Sequence, residues 1–336
     1  MSVEFALPPV REAHEPPEAR GLPRDGVRLL VSRRDTGAIE HHAFTDLPGL
    51  LAPGDLLVVN NSATLPAAVR LDRLAVHFST EREDGSWLVE LRRRTPEGTT
   101  EPYAGGSPGE WLPLPGRATL RLLGRETPRL WRARLDRDVP GYLARYGRPI
   151  RYAYVPRDWP LADYQTVFAT VPGSAEMPSA GRPFSTALVT ALVARGVTIA
   201  PITLHTGVAS PEKDEPPYRE RFRVPAPTAR LVNLARESGA RVVAVGTTVV
   251  RALETAVTAD GRVEAAEGWT SRVVTPQDGV RVTTGLLTGL HEPRSSHLMM
   301  LAAVGGETLV SRSYEEALRE GYLWHEFGDT HLILAS

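Results

Sequence analysis

Residues 241–254 read Arg-Val-Val-Ala-Val-Gly-Thr-Thr-Val-Val-Arg-Ala-Leu-Glu, and their types and spacing suit the binding of an anion. An apolar, β-branched run stops at Gly246, and a helical pattern starts within two residues. A strand that turns so sharply into a helix leaves the helix's first backbone N–H groups unpaired and pointing outward. Thr247 or Thr248 can cap one of them, and the rest can hold a carboxylate or another anion. At 3.6 residues per turn, Thr247, Arg251 and Glu254 fall on one face, which lines up a hydroxyl, a cation and a carboxylate beside the helix end. The same spacing equally suits a capped helix with an Arg–Glu surface pair.

Other chemistry-bearing residues are scattered. His205, in Thr-Leu-His-Thr-Gly, ends an apolar run before a flexible glycine, where it is either a site residue or a buried neutral imidazole with one partner. Glu220 lies between Arg219 and Arg221, as a site carboxylate or half of a surface ion pair. Tyr164 and Gln165 sit in Asp163–Ala169, and Ser174 in Gly173–Gly181, a turn-rich loop that can bring backbone close to a ligand or merely connect elements. His291 and His297 are six residues apart with Pro293 between them, so they cannot share a helix face as a zinc motif requires, and no metal is expected. The chain has no G-x-x-x-x-G-K-[ST] phosphate loop and no G-x-G-x-x-G.

These residues need a scaffold of some size, and 336 residues suffice for two domains with a sizeable core. Hydrophobic residues at 42% and charged residues at 24% are ordinary for a soluble globular protein, and no apolar run approaches a membrane span. Without cysteine there is no disulfide, thiolate metal site or thiol nucleophile. A cytoplasmic, monomeric enzyme without membrane contact is the expectation. The net charge of −1 argues against a general nucleic-acid coat protein. Yet Lys213 is the only lysine, and between Arg117 and Arg151 lie ten arginines against Glu126, Asp136 and Asp138. That patch is either a solvated face or an RNA contact.

The positioning elements follow from periodicity. Residues 1–26, rich in proline and charge, read as an arm. Val27–Ser32 and Asp55–Asn60 read as strands, with Pro53-Gly54 as a turn. From Pro66 to Asp136, short alternating runs between Gly, Pro and Asp clusters suggest a small antiparallel sheet or barrel inserted into the chain. Beyond Gln165 the pattern alternates. Ser185 caps a helix with Leu188, Val189, Leu192 and Val193 as its stripe, and Val197–Leu204 is a strand. Thr228 caps a helix that buries Leu231, Leu234 and Ala235, before a strand at Val242 and the Thr247 helix. A hairpin around Gly261, a strand near Val280–Thr283, helices at Ser295–Val304 and Tyr314–Gly321, and a strand at His331–Leu334 complete the series. Such alternation argues for an α/β body with a largely parallel sheet, whose ligands sit at the carboxyl ends of the strands.

In order along the chain, Pro53-Gly-Asp-Leu-Leu-Val-Val-Asn-Asn61, Tyr164-Gln-Thr-Val-Phe-Ala169, Gly173-Ser, Pro178-x-Ala-Gly181, Thr203-Leu-His, Ala244–Glu254, Leu287-Thr-x-x-His-x-Pro-x-Ser295 and Phe327-Gly-Asp329 resemble the S-adenosylmethionine:tRNA ribosyltransferase-isomerase family of queuosine biosynthesis. The resemblance implies a barrel-like α/β main domain, 1–63 and 150–336, with an inserted small antiparallel β-barrel, 64–149. It implies S-adenosylmethionine as co-substrate and tRNA as partner. The ribosyl part of the donor passes to 7-aminomethyl-7-deazaguanine and rearranges to an epoxycyclopentanediol, giving epoxyqueuosine-tRNA, while adenine and methionine leave. That chemistry needs a base beside the sulfonium. Under the resemblance, Thr247, Thr248 and Arg251 hold anionic or hydroxyl parts of the donor, and Tyr164, Gln165, Ser174 and His205 join the binding set. Glu254 or Glu220 faces the sulfonium or acts as base, with His291 and Asp329 assisting proton movement. The chain departs from the family pattern at Pro183 and Tyr218, each in place of a histidine, at Ala63 in place of a basic residue, at Gly289 in place of an asparagine, and in the short stretch Gly207–Pro217. The alternatives are a relative that uses the donor on a small-molecule acceptor, and an inactive one that only binds RNA or protein.

Overall fold

The computed structural model describes residues 5–96, 99–208, 218–293 and 295–335. Its strands are β1 (Arg28–Arg33), β2 (Ile39–Ala43), β3 (Leu56–Asn60), β4 (Ser62–Thr64), β5 (Ala68–Arg70), β6 (Leu74–Glu81), β7 (Trp87–Arg94), β8 (Thr100–Pro102), β9 (Trp111–Leu114), β10 (Ala118–Arg125), β11 (Leu130–Leu135), β12 (Val171–Ser174), β13 (Thr198–Leu204), β14 (Glu220–Val224), β15 (Val242–Val245), β16 (Ala266–Thr270), β17 (Gly285–Gly289) and β18 (Thr330–Leu334). The helices are α1 (Leu47–Leu50), α2 (Val139–Tyr146), α3 (Thr186–Ala194), α4 (Ala226–Glu237), α5 (Thr247–Ala256), α6 (Ser296–Gly305) and α7 (Glu307–Arg319). The chain is a mixed α/β protein dominated by sheets.

The larger sheet runs β16-β14-β13-β3-β15-β17-β18-β1-β2. It is mixed rather than largely parallel. Parallel pairing holds for β13-β3-β15-β17 and for β18-β1, and the remaining neighbours pair antiparallel. The central strands are apolar along their whole length because both faces are covered. Leu56, Val58, Ala200, Ile202, Ala244 and Leu286 pack one way, against α4 to α7. Leu57, Val59, Val243, Val245 and Leu287 point the other way, against α1, α3 and Phe184. Period-two alternation therefore builds two cores from one set of strands.

Residues 68–135 form a second, antiparallel sheet, β5-β6-β7-β11-β10-β9, with β8 on β7. It encloses its own core around Phe78, Trp87 and Trp131. The two sheets meet at a small parallel pair of β4 with β12, where the chain leaves and returns. The arm is laid down as expected. Trp324 N–H donates to the Arg11 carbonyl at 2.7 Å, and Ala13 N–H to the Trp324 carbonyl at 3.1 Å.

Several local expectations are corrected. Residues 280–283 are not a strand; pairing starts at Gly285. Val193 and Leu234, placed in apolar stripes, are 57% and 60% exposed, and α4 instead buries Ala229, Val232 and Ala235. Thr228 caps nothing. Pro227 pulls the helix start forward to Ala226, and the Thr228 hydroxyl donates to the Pro201 carbonyl at 2.6 Å. Ser185 does cap α3, accepting from Leu188 N–H.

At the amino end of β3, buried Asp55 accepts from Arg241 N–H (3.0 Å), Arg241 Nη2 (2.6 Å) and Ala52 N–H (2.8 Å). Removing it strands a cation and two amides. Asp55→Ala is expected to lower the unfolding free energy by about 3 kcal/mol, read from urea denaturation, and an unchanged midpoint would refute this account of the β3–β15 junction.

Candidate active site

Because β13, β3, β15 and β17 run parallel, their carboxyl ends share one edge of the sheet. His205, Asn60 to Ser62, Gly246 to Thr248, and His291 all follow from those ends. β14 runs antiparallel to β13, which brings the start of β14, Glu220, to the same edge.

Asn60 organises the edge. Its Nδ2 donates to the Leu204 carbonyl at 2.8 Å and to Thr248 Oγ at 3.3 Å, while its Oδ1 accepts from Leu204 N–H and Ser62 N–H. One amide thus ties the ends of β3 and β13 to the first turn of α5. That turn is entered through Gly246 at φ +97°, where any other residue is strained, and no side chain caps it. The threonine cap expected from the sequence is absent because glycine itself occupies the cap position.

Arg251 and Glu220, far apart in sequence, form a buried ion pair through Nη1 and Oε2. Arg251 Nε donates to the Arg272 carbonyl at 3.1 Å, and Glu220 Oε1 accepts from Gly207 N–H at 3.0 Å. Arg251 Nη2 is buried and has no partner among the described residues, as is Arg272 Nε. A buried donor left unpaired costs about 1–3 kcal/mol, so the unpaired guanidinium nitrogen marks a place for an acceptor. Thr247 is buried beside it on α5.

His297, in the first turn of α6, lies close enough to Arg251 to feel its charge. Burial first, then Arg251, pushes this imidazole down to about 4. Its ring centroid is 4.5 Å from that of His291, whose Nε2 bonds Thr288 Oγ at 2.8 Å. Burial and the neighbouring histidines His297, His331 and His325 hold His291 well below its usual value. Both rings are therefore neutral at pH 7.

Beyond Gly207 lies a second cluster. Ser62 Oγ bonds Ser174 Oγ at 2.6 Å and His205 Nδ1 at 2.7 Å, and Ser174 Oγ accepts from Thr206 N–H at 3.0 Å. Burial, then the Arg221 charge, takes His205 down to about 4.

Three expected site residues have their polar groups bonded to backbone. Glu254 is fully buried and its carboxylate accepts from Arg281 N–H (3.1 Å) and Val282 N–H (3.0 Å), so it faces that segment and not Arg251. Asp329 accepts from Arg28 N–H and Leu323 N–H, both at 2.8 Å, pinning two chain segments. The Gln165 amide pairs with both backbone groups of Thr64. Tyr164 packs on Phe327, with its buried hydroxyl lacking a partner among the described residues.

Sequence reasoning passed over Asn60, Ser62 and His297 as site members. Asn60 belongs to a quoted motif and Ser62 follows just after it, but their partners, Leu204 and Thr248 for Asn60 and Ser174 and His205 for Ser62, lie far along the chain. Of the departures, Pro183 is buried, and Tyr218 packs against the smaller sheet's core. Gly289 has open space where a Cβ would stand, and Ala63 sits in β4. The stretch Ala209–Pro217 lies outside the described residues. Among the described residues no group of three or more His, Asp or Glu is placed to hold a metal.

A family profile described as "Queuosine biosynthesis protein" matches residues 1–333. The chain is 38% identical to an S-adenosylmethionine:tRNA ribosyltransferase-isomerase of Moorella thermoacetica, over 98% of each chain. It is also 38% identical to the enzyme of that name from Acidiphilium cryptum, over 98% of this chain and 97% of the relative. The crystal structure of S-adenosylmethionine tRNA ribosyltransferase from Thermotoga maritima superposes with a TM-score of 0.58 at 29% identity, covering 99% of both chains.

Removing the cation beside His297 has a defined sign. In Arg251→Met the imidazole should titrate above its position in the wild type, moving toward the usual histidine value, as followed by NMR of the ring protons. A His297 titration unmoved by the substitution would separate the two groups.

Proposed function

The chain belongs to the queuosine biosynthesis protein family, and on that footing we infer that it transfers and isomerises the ribosyl part of S-adenosylmethionine onto 7-aminomethyl-7-deazaguanine in tRNA. The product is epoxyqueuosine-tRNA, with adenine and methionine released. The observation that supports the reading within this chain is the buried Arg251 guanidinium, held by Glu220 at the carboxyl edge of the parallel strands with Nη2 unpaired among the described residues.

The residues divide the task as follows. Arg251 Nη2 donates to the methionyl carboxylate, and Thr247 and Thr248 approach the donor's hydroxyls from the start of α5. Glu220 fixes Arg251 and sets a carboxylate beside the sulfonium, whose positive charge acidifies the adjacent C–H. Gly207 N–H and Arg251 donate to that carboxylate and hold it in place. The neutral imidazoles of His291, His297 and His205 accept or relay protons, and Ser174 sets the His205 ring through Ser62. Glu254 and Asp329 act by positioning backbone, and Tyr164 and Gln165 shape the loop that adjoins β4. Residues 64–149 serve as an inserted antiparallel barrel and 1–63 with 150–336 as the barrel-like α/β catalytic body. No metal enters these steps. The enzyme acts as a monomer in the cytoplasm, where its tRNA substrate is found.

The test is free adenine, measured with S-adenosylmethionine in the presence and absence of tRNA carrying the deazaguanine precursor. Adenine is expected only with that tRNA, whereas release without it would assign a small-molecule acceptor. Arg251→Ala should weaken donor binding by about ten- to a hundredfold, the worth of one charge-assisted hydrogen bond. Glu220→Gln should slow turnover by about a hundredfold or more. Wild-type behaviour in both variants would remove the Arg251–Glu220 pair from the reaction.

A further inference from the structure

The outer face of the smaller sheet carries side chains that the reaction does not use. On β9, Trp111 is 58% exposed, while Leu112 and Leu114 turn into the core. Strand pairing sets Trp111 opposite Arg121 on β10, and Arg121 opposite Arg134 on β11, so the three form one row across three strands. Arg132, two residues back along β11, is exposed on the same face. The Arg121 guanidinium lies 5.3 Å from the centroid of the Trp111 ring.

Two features of this row are unfavourable on their own. Like charges directly opposite one another in an antiparallel pair are destabilising, and Arg121 faces Arg134. Arg134 donates to the Asp84 carbonyl, but Arg121 and Arg132 have no carboxylate partner among the described residues. A large indole standing in water beside them is a second cost. A ligand relieves both only if it brings negative charge and flat aromatic surface together. Protein interfaces deplete uncompensated charge from their centres, whereas nucleotides supply phosphates and bases in one strand. The row also belongs to the stretch in which ten arginines stand against three carboxylates.

We propose that the outer face of β9-β10-β11 docks the tRNA, with Trp111 stacking on an unpaired base and Arg121, Arg132 and Arg134 contacting phosphates. This rests on tRNA as the acceptor. It places recognition of the polynucleotide on the smaller sheet and leaves the donor to the edge of the larger one.

The experiment compares full-length wild type with Trp111→Ala, Trp111→Phe and the double variant Arg121→Gln/Arg132→Gln. Binding to tRNA is measured by fluorescence anisotropy at several salt concentrations, with calorimetry of S-adenosylmethionine and adenine release in parallel. Trp111→Ala should weaken tRNA binding by about tenfold, and Trp111→Phe should restore most of it. The double variant should bind more weakly and lose about two from the slope of log K against log salt. Donor affinity should match wild type in all three, which also reports that they fold. Variants that keep wild-type tRNA affinity and salt slope overturn the proposal and leave the reaction standing. Self-association of the wild type that Trp111→Ala abolishes, with tRNA binding unchanged, overturns it in favour of a second copy of the chain. Weakened tRNA binding in the variants supports the surface even if the wild type releases no adenine, in which case the reaction alone falls. A wild type with no salt-dependent affinity for tRNA sinks both.

Discussion

A guanidinium cannot be taken out of water without an anion and hydrogen-bond acceptors to meet it, and Arg251 sets that demand on the whole carboxyl edge. Glu220 meets one nitrogen and the Arg272 carbonyl another, and Nη2 has no partner among the described residues. Satisfying this single side chain fixes where β14 must begin, how the chain passes Arg272, and which way Gly207 points. A buried donor left in that state is costly, because nothing replaces the water it gave up.

The remaining groups are positioned around that cation by backbone, with few side-chain contacts between them. Asn60 ties three elements together with one amide, so the strand ends and the start of α5 move as a unit. Glu254, one turn beyond Arg251, grips the amides of residues 281 and 282 and prevents α5 from rolling. The histidines are kept uncharged by burial and, at His297, by the adjacent guanidinium. The edge thus joins one ion pair to a set of neutral imidazoles.

Legibility from the sequence followed the range of the interactions. The Gly246 turn, the strand ending at Asn60, the cap at Ser185 and the antiparallel runs between Ala68 and Leu135 were all readable, because each is set by neighbours a few residues away. Thr228 misled because a hydroxyl before an apolar stripe reads as a cap, although Pro227 starts the helix sooner. Leu234 and Val193 misled because side-chain periodicity does not fix which flank of a helix meets the sheet. The shared face of Thr247, Arg251 and Glu254 was legible, but not that Glu254 would be claimed by backbone amides from residues 281 and 282. Ser62, Asn60 and His297 acquire their roles from partners more than a hundred residues distant or from a charge across a helix–helix gap, and no local pattern encodes either.

The junction of β4 with β12 bears on how the molecule assembles. The Asn61 carbonyl accepts from both Thr170 N–H and Val171 N–H, so the chain comes back to the point from which it departed. Pairing β3 with β13 would otherwise require closing a loop of well over a hundred residues, a non-local step of the kind that slows folding. The smaller sheet, with a core of its own and its two ends paired through β4 and β12, shortens the effective loop that this pairing must close. The β4–β12 pair thus holds together the two chain ends that lead into the edge carrying Arg251.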